Sequence, residues 1–157
     1  MSLLEMVYGL TDAGIRFIVC GGVAGTAHGS RRVTDDLDIL YDTELANART
    51  LSSLLQAWHA YPREVEPGLP FIMDERTLRA ATMLTLNTDR GMLDIFREMA
   101  GVGTWERALA DSVAVDLEGR TVQALSLTQL IAAKRAAGRP KDREHLLELE
   151  AIRRLTR

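Results

Sequence analysis

The sequence predicts one α/β or α+β domain built on a mixed sheet, with helices at both ends. Three observations carry this. The chain has 157 residues, the size of one ordinary domain. Short apolar runs bounded by glycine, such as Phe17–Cys20, alternate with longer stretches of helical spacing. Strand signals cluster in the middle of the chain, between helical segments at its two ends. Composition agrees: 46% hydrophobic and 26% charged residues are ordinary for a globular protein. One cysteine, Cys20, excludes a disulfide framework and a four-cysteine zinc site. No apolar run approaches the ~20 residues that span a bilayer. The opening residues lack a basic region followed by a long apolar one, so a cytoplasmic location without a signal peptide is expected.

Taken in order, residues 3–13 have the apolar spacing of a helix, and Gly14 can end it. Phe17–Cys20 reads as a buried strand. Gly21 and Gly22 follow at once and lead into a small-residue stretch suited to a short helix. Leu37–Tyr41 forms a second strand. Glu44–His59 is amphipathic, with Leu45, Ala48, Leu51, Leu54, Leu55 and Trp58 on one side. Pro62, Pro67 and Pro70 mark a loop. Short strands are expected at Phe71–Met73, Thr82–Leu86 and Met92–Phe96, the last two as a hairpin. Thr104–Leu109 reads as helical, and Val113–Leu117 with Thr121–Leu125 as a second hairpin. Ser126 and Gln129 have capping-box spacing, and Gly138 closes the helix they open. Pro140 starts a last helix to about Leu155. These boundaries give one domain over 1–157, with a core of about 1–125 and a helical segment at 126–157.

Chemistry concentrates between Gly21 and Tyr41. Asp36 and Asp38 alternate with Leu37 on a strand, so both carboxylates share one face while Leu37 and Ile39 face a core. Two such acids repel, and a divalent cation resolves the conflict. Two solvated acids at an exposed strand end are the plainer alternative. Asp94 interrupts the apolar run GMLDIF, where an unpaired carboxylate is costly. Either an ion pair with nearby Arg90 or Arg97 or a metal shared with Asp36 and Asp38 would satisfy it. Gly21–Gly22 sit between a strand and a helix, where bare backbone can approach a phosphate; tight packing is the commoner cause. The spacing fits neither G-x-G-x-x-G nor a Walker A loop. Lys134 lies on the apolar stripe with Leu127, Leu130 and Ile131, either snorkelling or facing a partner.

Charge is uneven. The full chain carries a net −3, yet from Lys134 onward eight basic residues face four acidic ones. A solvated helix face or a basic flank toward phosphates accounts for that.

The order Gly-Gly, thirteen residues, Asp-x-Asp, then a later strand Asp resembles the nucleotidyltransferases of the DNA polymerase beta superfamily. The wider pattern GG-x-A-x-x-x-HG-x-x-R-x-T-x-D-x-D-I resembles the superfamily's bacterial abortive-infection, toxin-type branch, as does the late KRAAGRPKDREHL. Where many members carry Gly-Ser, this chain has Gly-Gly. The helical extension common in that branch is here reduced to two helices. The resemblance implies a nucleotidyltransferase-like mixed sheet flanked by helices. It implies a catalytic set of Asp36, Asp38 and Asp94 holding two Mg2+ ions, with Asp94 also helping to activate a hydroxyl. It implies nucleotide contacts from Gly21, Gly22, Ser30, Arg32, Thr34, Lys134 and Asp142, with Asp142 in place to orient Lys134 or a nearby basic residue. The activity implied is transfer of NMP from an NTP to a hydroxyl acceptor, with RNA, for instance a tRNA end, as a candidate, and a cognate antitoxin as a candidate partner. A non-catalytic nucleotide-binding or antitoxin-like module of the same fold is the main alternative. A metal-dependent sugar transferase using Asp-x-Asp is a further one. His28, His59 and His145 form no zinc pattern, and Ser30 lacks a His–Asp partner pattern.

Overall fold

Phe17–Cys20 forms strand β1, and all four of its residues are buried. A strand apolar on both faces belongs inside a sheet with cover on each side. The computed structural model, which describes residues 3–156, places it there. β1 runs antiparallel to β2 (Asp36–Tyr41) and pairs in parallel with a strand at Arg120–Ala124. β2 in turn pairs in parallel with a strand at Gly91–Phe96, which forms the expected hairpin with Met83–Thr88. In chain order the remaining strands are β3 (Tyr61–Pro62), β4 (Met83–Thr88), β5 (Gly91–Phe96), β6 (Glu98–Met99), β7 (Gly103–Thr104), β8 (Val113–Leu117) and β9 (Arg120–Ala124). The main sheet has the order β3-β4-β5-β2-β1-β9-β8 and is mixed, as the sequence predicts. β6 and β7 form a separate two-stranded ribbon.

Helices cover the sheet. α1 (Leu3–Asp12) buries Met6, Val7 and Leu10 and is followed by Gly14 at φ +74°, a left-handed position that suits glycine. α2 (Gly21–Ala27) leaves directly from β1. α3 (Leu45–Ala57) buries Ala48, Leu51 and Leu55, and Trp58 is a core residue. α4 (Glu75–Ala80) and α5 (Trp105–Leu109) are short. α6 (Leu127–Ala137) opens on the Ser126/Gln129 capping box and ends at Gly138, φ +62°. α7 (Pro140–Leu155) carries proline in its first turn. Leu37, Ile39, Leu40, Leu86 and Leu93 are fully buried in the sheet's core. Burying each such side chain contributes roughly 1.5–3 kcal/mol. Among the described residues, no helix is long and apolar enough to cross a membrane.

One local expectation changes, and two short features carry no clear sequence signal. Phe71–Met73 is not a strand; the place beside β4 goes to Tyr61–Pro62, at the sheet edge where a missing N–H is tolerated. The following residues form α4, capped by Asp74, whose Oδ1 accepts from Thr77 N at 2.9 Å. With Leu78 its one buried residue, α4 has too little periodicity to read from sequence. The β6–β7 ribbon, two residues per strand, is likewise too short to announce itself.

Candidate active site

Alternation on β2 sends Leu37 and Ile39 into the core and leaves Asp36 and Asp38 on the opposite face. Parallel pairing then sets Asp38 directly beside Asp94 of β5. One carboxylate oxygen from each of Asp36, Asp38 and Asp94 lies within 4.8 Å of the others. Asp38 Oδ1 is buried and has no hydrogen-bond partner. Burial, then the charges of Asp36 and Asp94, push the Asp38 carboxyl well above its ordinary range; Lys134 pulls only weakly the other way. Burial also raises Asp94, against the opposing pull of an arginine. That arginine is Arg63, whose guanidinium meets Asp94 Oδ1. The nearer residues named as ion-pair candidates are engaged elsewhere. Arg97 donates to the Arg79 carbonyl at 2.9 Å, and Arg90 lies over the Trp58 ring at 5.8 Å.

Both glycines are required by close approach. Gly21 has φ +57°, and a Cβ there would fall 1.8 Å from Asp38 Oδ2. A Cβ on Gly22 would fall 2.6 Å from Thr34 Cβ and Oγ1. Tight packing against Asp38 and Thr34 is therefore one cause of the pair, and the same two residues also line the cleft above the acids.

That cleft has a volume of about 530 Å3. Gly21, Gly22, Thr34, Asp36, Asp38 and Asp94 form one side, and Arg32, Lys134, Arg139 and Lys141 supply positive charge around it. Lys134 turns out to have a partner: its Nζ donates to Asp142 Oδ1 at 3.1 Å. Arg139 Nε donates to Asp142 Oδ2 at 2.8 Å, and the Arg139 backbone N–H adds a bond at 3.3 Å. Burial by itself would raise Asp142, but these hydrogen bonds and the two cations hold its carboxyl at about 2. Thr34 lines the cleft and donates its hydroxyl to the Asp36 carbonyl at 3.1 Å. Arg32 is exposed at its rim, 3.8 Å from Glu144 Oε2. Ser30 is not among the lining residues; it is buried and donates to Glu148 Oε1 at 2.6 Å. His28 Nε2 lies 2.9 Å from the Leu125 carbonyl oxygen, a structural contact.

Arg63 and Arg139 have no role in the reading of the sequence, Lys141 enters it only within the late KRAAGRPKDREHL segment, and His145 only as a histidine in no zinc pattern. Only Arg139 carried a local signal, an acid three residues on in a first helical turn. His145 is buried against the cleft, and burial, then Lys134 and Arg32, lower its pKa. Its Nε2 has no hydrogen-bond partner. A second cavity of about 350 Å3 adjoins the first and shares Asp38 and Lys134 with it. Phe96, Met99, Leu125 and Leu130 make that wall mostly apolar.

No protein-family profile matches the sequence, and no curated protein matches it significantly. Solved structures do match. The solution structure of the antibiotic-resistance factor ANT(2'')-Ia aligns over 97% of this chain and 87% of its own, with TM-score 0.60 and 14% identity. Its crystal structure with adenylyl-2''-tobramycin aligns over 95% and 91%, with TM-score 0.58 and 15% identity. A crystal structure of a proposed nucleotidyltransferase from Thermotoga maritima aligns over 92% and 90%, with TM-score 0.59 and 17% identity. At these identities the likeness is one of fold: the seven-stranded mixed sheet and its helices have a nucleotidyltransferase-like architecture.

Proposed function

We infer that this chain is a nucleotidyltransferase that moves an NMP from an NTP to a hydroxyl acceptor. One observation carries the reading: three carboxylates converge within 4.8 Å beside an unpartnered buried oxygen, in a cleft that also carries four cations. Like charges this close are unfavourable unless neutralised, and hard oxygen donors suit Mg2+. Asp36 and Asp38 would hold both ions of a two-metal site, with Asp94 completing it. Bound there, Mg2+ would neutralise charge on the triphosphate and lower the pKa of the attacking hydroxyl.

The residues divide the remaining work. Lys134, Arg139 and Lys141 face the polyphosphate, with Lys134 and Arg139 held in place by Asp142. Gly21 and Gly22 present bare backbone to it. Thr34 and Arg32 stand at the rim. The acceptor oxygen forms a bond to the α-phosphorus as the bond to the bridging oxygen breaks. Pyrophosphate leaves with that electron pair, and the hydroxyl proton passes to Asp94 or to water. Catalysis of this kind is mainly positioning and charge stabilisation. The apolar cavity beside Asp38 is suited to a ring, either the base or part of the acceptor.

RNA, including a tRNA end, is the proposed acceptor, because exposed Arg32 and Lys141 line the cleft and the segment from Lys134 onward carries eight basic residues against four acidic ones. A toxin-type role with a cognate antitoxin belongs to the same proposal. ANT(2'')-Ia was solved with adenylyl-2''-tobramycin, so a small-molecule hydroxyl is the competing acceptor. The test is pyrophosphate release with Mg2+ and each NTP, with total RNA, with tobramycin and with neither, beside Asp36→Ala/Asp38→Ala. Release that needs RNA and both acids supports the full reading. Release with tobramycin alone replaces the acceptor. NTP binding without release under any condition favours the non-catalytic module.

A further inference from the structure

Arg63 is fixed at three points. Its backbone N–H donates to the Thr85 carbonyl at 2.9 Å, its Nη1 donates to the Leu86 carbonyl at 2.7 Å, and its Nη2 meets Asp94 Oδ1. The segment it opens is also fastened. The Tyr61 hydroxyl lies 2.8 Å from both the Glu66 and Leu69 carbonyls, and its ring packs edge-on against Phe71 at 5.7 Å. The Arg63 side chain is 21% exposed, so this is a built contact rather than a surface cation at rest. Among the described residues, Asp36 and Asp38 form no ion pair. Of the three acids, Asp94 alone already has a cation on one oxygen.

We propose that Arg63 is a positioning residue that holds Asp94 by Oδ1 and competes with a divalent cation for it. Arg63 thereby sets how tightly the three carboxylates take the cation up. The inference rests on the metal reading of the acids given above. Two consequences follow from charge and geometry. A guanidinium about 6 Å from a dication opposes its binding by a factor on the order of ten, even at a water-like dielectric. An Asp94 released from Arg63 regains rotamer freedom, which costs orientation at the reacting hydroxyl.

The experiment is calorimetric titration of the full chain with Mn2+ and no nucleotide, for wild type, Arg63→Gln, Arg63→Lys, Asp94→Asn, Asp94→Asn/Arg63→Gln and, as a control on the metal site, Asp36→Asn. Arg63→Gln is expected to bind Mn2+ roughly tenfold tighter. Arg63→Lys falls between, because one ammonium cannot serve both Leu86 and Asp94; it also carries the test if Arg63→Gln fails to fold. In the Asp94→Asn background the gain shrinks, because competition for Oδ1 is gone and only the through-space repulsion between Arg63 and the ion remains. In turnover, Arg63→Gln lowers kcat and leaves KM for the NTP unchanged, since the phosphate-facing cations are untouched. Wild-type affinity in both Arg63 variants, or an undiminished gain without Asp94, overturns the proposal and leaves the metal reading standing. A wild type that takes up no Mn2+, or takes it up equally after Asp36→Asn, overturns the metal reading itself.

Discussion

Asp38 and Asp142 line the same cleft and are both largely shielded from water, yet their environments drive them in opposite directions. Asp38 sits among acids, with one oxygen unpartnered, and its carboxyl is pushed well up. Asp142 sits between Lys134 and Arg139 and is held at about 2. Burial raises both; what differs is the charge of the neighbours. The difference teaches how to read a buried acid. Asp142 is complete without any ligand, whereas Asp38 is satisfied only by a proton or a cation. One carboxylate organises the cationic wall of the cleft, and the other asks for something from outside.

The comparison breaks first at the acids. Replacing Asp36 and Asp38 with alanine is expected to lower pyrophosphate release at least ~10^3-fold, since loss of metal-held charge stabilisation is worth several kcal/mol. The same protein is expected to melt no lower than wild type without metal, because like charges have been removed. A calorimetric scan beside the activity assay checks both.

Next is Gly21→Ala. Its Cβ would strike Asp38 Oδ2 at 1.8 Å, at a residue with φ +57°. Strain and displacement of the acid together cost roughly 2–3 kcal/mol, read as a fall in Tm of about 5–10 °C. A melting temperature within a degree of wild type would contradict the packing account.

Asp142→Asn tests the paired acid. It leaves Lys134 and Arg139 facing each other without their carboxylate and is expected to cost about 1–2 kcal/mol, moderated because Arg139 is half-exposed. A carboxyl lowered by folding contributes stability that is whole above about pH 4 and is lost as pH falls toward 2. Urea midpoints of wild type and Asp142→Asn should therefore converge across that window. Asp38 runs the other way. Its raised carboxyl binds a proton more readily folded than unfolded, so without metal its ionisation costs stability as pH rises above about 4. Asp38→Asn should flatten that slope, and the stabilisation from Mg2+ should grow with pH.

The smallest effect belongs to Arg32→Ala. Its contact with Glu144 is long and exposed, so stability should change by less than about 0.5 kcal/mol. Any consequence should be confined to KM for the NTP.

Much of this was legible in one dimension. Asp36 and Asp38 share a face because strands alternate, and Leu37 and Ile39 between them identify the buried side. Capping residues and glycines set the ends of α6 and the close of α1, because their backbone demands are local. The partner of Asp94 was not legible. Neighbouring arginines at 90 and 97 were the natural candidates, and the guanidinium comes instead from position 63, across the β3–β4 pairing. Ser30 shows the same limit. The resemblance offered it as a stand-in for the hydroxyl of the Gly-Ser motif, but α7 brings Glu148 to it from 118 positions away.

The sequence alone therefore determined the order of the longer elements, the acid face of β2, the glycines beside it and a basic terminal segment. Each depends on backbone preferences and periodicities that act over a few residues. Only the tertiary structure decided that β2 and β5 pair in parallel with Asp38 beside Asp94. It alone put Arg63 on that third acid. Strand register and ion-pair choice are set by which surfaces bury together, and that is a property of the whole packed chain rather than of any segment of it.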